Sequence, residues 1–227
     1  MHSEPSKLLP EVGYNYSQIE TPRINATGEA QRALSNSLSA LFINPANMMA
    51  TRVYHVGAFA QIWPEARRQS YGAAAVDSIV SRWGLAGGIG GSWNRQDPDG
   101  LKRQWTDLRF ALALELSDLF LVGLGGRYLS LGQDGFSGPL PPSLASGGLK
   151  DKRIINGFSL DTGATFRPLK QLSVALVGNN ITNPDNGLQP ASLGGGVGVA
   201  LDILSLEADM VGDFTTWSKT TLRAMAG

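Results

Sequence analysis

From Tyr54 onward the chain is a series of extended segments whose connections alternate between short and long. The connections run 64–70, 78–84, 94–104, 116–118, 132–156, 168–171, 180–192 and 202–204. From the third onward, the odd-numbered ones are long and the even-numbered ones short. An up-and-down barrel that crosses an outer membrane sorts its connections this way, with tight turns on one side and longer loops on the other. A soluble sandwich has no reason to sort them by parity.

Nine segments alternate with period two, the signature of a strand with two unlike faces. The first is Tyr54–Trp63, with Tyr54, Val56, Ala58, Ala60 and Ile62 opposite His55, Gly57, Phe59 and Gln61. Segments at about Tyr71–Asp77 and at Leu85–Trp93 follow. Trp105–Glu115 sets Thr106, Leu108, Phe110, Leu112 and Leu114 against Asp107, Arg109, Ala111, Ala113 and Glu115. The others are Leu119–Leu131, Gly157–Arg167, Leu172–Asn179, Leu193–Leu201 and about Ser205–Phe214, and Thr220–Gly227 begins a tenth. A half-buried soluble sheet alternates as well, so two details decide for the membrane. One face is bulky and apolar while the other carries Gly, Ser, Asp, Arg and Glu, as a polar lumen would. Trp63, Trp93, Trp105, Tyr54, Tyr71 and Tyr128 lie near segment ends, where interfacial aromatic girdles sit.

Composition agrees. Charged residues make up 17% of the chain, below the ~25% of soluble domains, as lipid-facing strands require. Net charge is +0, which gives no electrostatic footprint for nucleic acid. Cysteine is absent and the histidines are His2 and His55; disulfides and thiolate sites are excluded, and neither a metal site nor a cofactor is expected. No run of ~18 apolar residues indicates a transmembrane helix.

Residues 1–51 read as a separate N-terminal plug and 52–227 as the strands. Within the plug, Gly28–Ile43 has helical spacing through Ala30, Ala33, Leu34, Leu38 and Leu41, and Asn44-Pro45 stops it. The first residues carry no secretory signal pattern. The last strand has no terminal aromatic, and an odd or open set of strands leaves edges that lipid does not tolerate. The expectation is therefore about nine to ten strands of a longer transmembrane barrel.

The glycine runs Gly87-Gly88-Ile89-Gly90-Gly91 and Gly194-Gly195-Gly196-Val197-Gly198 lie inside segments and lack phosphate-loop spacing. They read as strand curvature, or, in the first case, as an inward bend that breaks the wall. No Ser/His/acid arrangement is visible around His55, so an enzyme is not expected. Arg109, Glu115, Arg127, Asp161, Arg167, Glu207 and Asp209 share the small face. They read as mutually paired lumen charges, with a polar solute path as the other reading. Asn15, Asn25 and Asn180 each begin an Asn-X-Thr/Ser pattern, which is common by chance.

Ser39-Ala40-Leu41-Phe42-Ile43-Asn44-Pro45-Ala46-Asn47-Met48, preceded by Ala26-Thr27-Gly28-Glu29-Ala30, resembles the hatch of the FadL-type long-chain fatty-acid transporter family. Asp161–Pro168 and Val177–Pro184 resemble the related PorV barrels of type IX secretion. The resemblance implies a fourteen-stranded barrel in the outer membrane of a Gram-negative bacterium, plugged by the hatch. It implies passive uptake of hydrophobic molecules such as long-chain fatty acids, with Phe42, Asn44, Pro45 and Ala46 in the hatch. It also implies a lateral opening at the third strand, which here holds Gly87, Gly88, Gly90 and Gly91. The implied partners are outer-membrane lipid, hydrophobic small molecules and, on the PorV reading, a secretion complex.

Overall fold

A computed structural model describes residues 21–65, 67–97, 102–132, 153–182, 189, 191–213 and 221–227. His2, Asn15, Pro184, Phe214 and Thr220, which figure in the sequence reading, lie outside the described residues.

The strands are β1 Tyr54–Trp63, β2 Arg68–Asp77, β3 Leu85–Gln96, β4 Arg103–Ser117, β5 Phe120–Gly132, β6 Arg153–Leu169, β7 Leu172–Asn179, β8 Ser192–Ala200, β9 Ser205–Asp213 and β10 Thr221–Ala226. They form one antiparallel up-and-down sheet in sequence order, and β1 does not pair with β10. The sheet is open, not a closed barrel. Several strands run past the ends expected from hydropathy. β2 begins at Arg68 because Arg68 still pairs with Trp63, and β3 continues to Gln96, which pairs with Arg103. Apolar alternation stops where the apolar belt stops, whereas backbone pairing continues beyond it.

The register climbs across the sheet. From Tyr54, at the start of β1, successive Cα partners are Asp77, Gly87, Leu112, Leu124, Thr162, Gly178, Leu193, Gly212 and Leu222. Tyr54 lies at the rim of the even-numbered turns, and Leu222 lies one residue from the start of β10 at the opposite rim. Strands staggered in this way are tilted, and tilt with stagger is the geometry that curls a sheet.

The N-terminal segment lies on the inner face. Helix α1 is Pro22–Ala26; Thr21 caps it by accepting from the Ile24 N–H at 3.3 Å, and Pro22 opens it. Helix α2 is Ser37–Ile43, and a 3-10 helix follows at Pro45–Met49, capped by the Asn44 side chain. The expected continuous helix over Gly28–Ile43 is therefore corrected to a short helix after an irregular turn. Gly28 and Glu29 take positive φ, and the backbone N–H groups from Gln31 to Leu34 donate to carboxylates on β9. Those donors are then lost to a helical ladder. The predicted stop at Asn44-Pro45 is where α2 ends.

Sheet and plug share one apolar core. Ile24, Ala40, Leu41, Phe42, Ala46, Met48 and Met49 pack on Ala74, Val76, Ala86, Ala111, Ala113 and Leu121. Leu34 reaches Gly198 of β8 while Leu38, four residues on, reaches Gly57 of β1. Four residues span at most ~14 Å, so the sheet wraps around the plug.

Candidate functional site

The faces of the sheet are inverted relative to a water-soluble protein. On β4, Leu108, Phe110 and Leu112 are 50%, 53% and 57% exposed, while Asp107 and Arg109 between them are 0% and 4% exposed. The same holds on β9, where Leu206 and Met210 are exposed and Glu207 and Asp209 buried. Ile89, Leu124, Phe158, Leu176, Leu193 and Val197 continue the exposed face across β3 and β5–β8. The candidate site is the inner face under the plug.

Two charged assemblies lie there. In the first, Arg109 reaches both Asp107 oxygens at 3.2 Å and donates to the Phe42 carbonyl. Arg127 approaches Asp107 at 3.4 Å and donates to Asn180 Oδ1 at 2.9 Å. Asp161 accepts from the Asn180 N–H at 2.8 Å, and Gln189 and Ser159 donate to Asn180 Oδ1. Asn180 holds a positive φ of 55°, a conformation Asn tolerates better than most residues. It is 1% exposed, which closes its Asn-X-Thr pattern to modification, whereas Asn25 is exposed.

In the second assembly, β9 holds the plug. Asp209 Oδ2 accepts from the N–H groups of Gln31 and Arg32 at 2.9 Å and from the Arg32 guanidinium at 3.0 Å. Glu207 accepts from the N–H groups of Ala33 and Leu34. Burial pushes the Arg32 guanidinium below its ordinary range and Asp209 pulls it back. Behind these, Asn44 and Asn47 both donate to the Arg32 carbonyl, at 2.7 and 3.1 Å. Asn44 also donates to Thr165 Oγ1, which donates to Asn47 Oδ1. Both asparagines are fully buried, where an unmade hydrogen bond costs ~1–3 kcal/mol.

The plug sits on glycines. A Cβ on Gly163 would lie 2.0 Å from Asn44 Oδ1, and one on Gly123 would lie 2.3 Å from the Ala46 nitrogen. Gly88 and Gly90 make room for Met48 and Leu41, and Gly194 for Arg32. Asn44, Pro45 and Ala46 are thus pressed against β5 and β6, and Phe42 stacks edge-on with Phe59 at 6.0 Å.

Of the residues singled out from sequence, Arg109, Arg127 and Asp161 come together, and Glu207 and Asp209 form the second group. Arg167 stands apart and donates to the Ala50 carbonyl at 3.4 Å. Glu115 is half-buried near Gly84 at the turn rim, away from both groups. Asp107, Gln189, Arg32 and Thr165 were not singled out, and Asn180 only as the start of an Asn-X-Thr pattern. Strand parity marks Asp107 and Thr165 as inward; nothing local marks Gln189, which arrives from a long loop.

Two expectations are corrected. The Gly87–Gly91 run is not a break in the wall: β3 pairs with β2 and β4 through it without a register shift. Gly88 and Gly90 face the plug, while Gly87 and Gly91 face outward. Trp63 and Trp105 do not belong to an outer girdle. They point inward, with the Arg68 guanidinium 4.7 Å and 5.7 Å from their rings, and Trp105 is buried. Tyr54, Tyr71 and Trp93 do face outward, the last two stacked at 6.0 Å.

An open depression of about 600 Å³ lies between plug and β10, lined by Asn25, Gly28, Glu29, Arg223, Ala224 and Met225. An open apolar depression of about 930 Å³ lies on β7–β10, walled by Leu176, Leu193, Val197, Met210 and Leu222. Among the described residues no group of three His, Asp or Glu side chains is placed to hold a metal ion, and no helix is long and apolar enough to cross a membrane. His55 meets a hydroxyl, Ser37 Oγ at 2.6 Å from Nδ1. No protein-family model matches the chain, and no curated protein matches it.

Proposed function

We propose that this chain is wall and plug of a β-barrel embedded in an outer membrane, and that the barrel passes hydrophobic molecules such as long-chain fatty acids without covalent chemistry. The observation that carries the membrane reading is the inversion of faces. Leu108, Phe110 and Leu112 lie outside and Asp107 and Arg109 inside. In water that arrangement exposes the wrong face; in lipid the apolar surface is covered outward while Asp107 pairs with Arg109 and Arg127 inside. The passage reading rests on the hatch resemblance at Ser39–Met48 and on the apolar depression at β7–β10 as a surface where an acyl chain would lie. The test is uptake of labelled long-chain fatty acid by cells with and without the gene. Faster uptake with the gene is expected, and equal rates would overturn passage while leaving the membrane reading intact.

A second reading is a non-transporting barrel that serves a secretion machine, as in the PorV group. It is favoured by the filled inner face, where Arg109 and Arg127 pair with Asp107, Asp161 accepts from the Asn180 N–H, and β3 stays paired without a register shift. Co-purification with a secretion complex, together with unchanged uptake, would select it.

A further inference from the structure

The two rims of the sheet differ, and the difference points to where one of them lies. The described turns between β1 and β2 and between β3 and β4 carry Glu65, Arg67, Asp97 and Lys102. The opposite rim, made by the even-numbered turns, is apolar at each of its four described turns. The β2–β3 turn exposes Val80 at 79% and Trp83 at 87%; the β8–β9 turn exposes Ile203 at 99%. Leu116 and Leu119 are exposed at the β4–β5 turn and Leu169 at the β6–β7 turn. Turn tips in water are normally built from Gly, Asn, Asp and Ser, and contiguous exposed apolar surface of this kind marks an interaction.

We infer that this rim is seated in the headgroup region of the bilayer, so that the turns are lipid-contacting anchors. The inference rests on the membrane reading above. Two observations choose lipid over a protein partner. First, the apolar tips continue the outward files of the strands. Trp83 stands two residues before Leu85, Leu116 two after Leu114 and Leu201 two after Val199, and all six are exposed. The rim is therefore one surface with the apolar face. Second, each turn adds one exposed ionic side chain, Arg82, Asp118, Lys170 and Asp202 in turn. Two are cationic and two anionic, which suits a zwitterionic headgroup layer and offers no single-signed patch to a charged partner. Indole rings prefer that layer, and long basic side chains reach water from it.

The chain has no cysteine, so single-cysteine variants can carry an environment-sensitive fluorophore. Full-length Val80→Cys, Ile203→Cys, Leu176→Cys and Glu65→Cys proteins are reconstituted in phosphatidylcholine vesicles brominated either near the headgroup or near the chain end. Leu176→Cys, on the outer face, reports on the membrane reading itself and should be quenched by the deep bromines. Val80→Cys and Ile203→Cys should show blue-shifted emission and lose more fluorescence with shallow than with deep bromines. Glu65→Cys should remain unquenched. Quenching at 176 with water-like, unquenched emission at 80 and 203 would overturn the inference and leave the rim to a protein partner. No quenching at 176 would instead overturn the membrane reading.

Discussion

Asp209 stands where sheet and plug are joined by charge. One of its oxygens takes two backbone N–H groups and the Arg32 guanidinium, and Arg32 and Asp209 side chains are 8% and 0% exposed. Asp209→Ala is expected to leave Arg32 buried without a counter-ion, at a cost of ~3–5 kcal/mol. The double variant Asp209→Ala, Arg32→Ala should cost less than the sum of the two single changes, because the uncompensated charge is gone. Urea unfolding of the four proteins reads both numbers, and strict additivity would mean the pair is not coupled. Gly163 tests the seat sterically. Its Cβ position is occupied by Asn44 Oδ1, whereas a Cβ on Gly125, on the neighbouring strand, would meet nothing closer than 3.6 Å. Gly163→Ala should loosen the plug and speed protease cleavage within residues 37–49, and Gly125→Ala should leave cleavage unchanged.

At the scale of elements, strands were legible because period two is a local property. β1 and β7 have the ends that hydropathy alone suggests, Tyr54–Trp63 and Leu172–Asn179. The faces of β4 follow their residues, with Thr106 to Leu114 outside and Asp107 to Ala113 inside. The plug was less legible because its conformation is imposed from afar. Residues 31–34 have helical spacing, but Glu207 and Asp209, more than 170 positions later, take their N–H groups. No window around Gln31 contains that competition. Trp105 was misread for a related reason: its place near a strand end suggested an interface, and only parity from Asp107 shows that it faces Arg68 inside. The charged group was legible as inward residues, but its hub, Asn180, is joined by Gln189, nine positions on, which no local pattern marks. Strand β4 also provides a direct test of the outer face. Leu112→Lys puts a charge midway along that face and should cost ~2–4 kcal/mol if lipid covers it. In a soluble protein the same change at a 57% exposed position should be near neutral. Folding yield into vesicles against denaturant, compared with wild type, distinguishes the two.

On the scale of the whole molecule, the plug is structural mass as much as an obstruction. It touches the sheet from Thr27 against Gly227 beyond β10, through Arg32 and Leu34 on β8 and β9, to Ser37 on His55 of β1. Ile24, Leu41, Phe42, Met48 and Met49 each bury a large side chain between the two, worth ~1.5–3 kcal/mol apiece. The gross sum is on the order of 8–15 kcal/mol of burial that the sheet loses with the plug. Removing residues 21–50 would also uncover Leu121, Val76 and Ala86 and strip Arg109, Glu207 and Asp209 of their plug partners. A gate that swings clear of such a face would expose a surface that, among the described residues, only the plug covers, so passage by expulsion of the plug is disfavoured by the contacts themselves. Deletion of 21–50 is therefore expected to abolish the folded form rather than open a pore. Planar-bilayer conductance and resistance to protease read the outcome together. A folded, protease-resistant and conducting deletion variant would mean that the plug is dispensable to the sheet and acts as a removable gate.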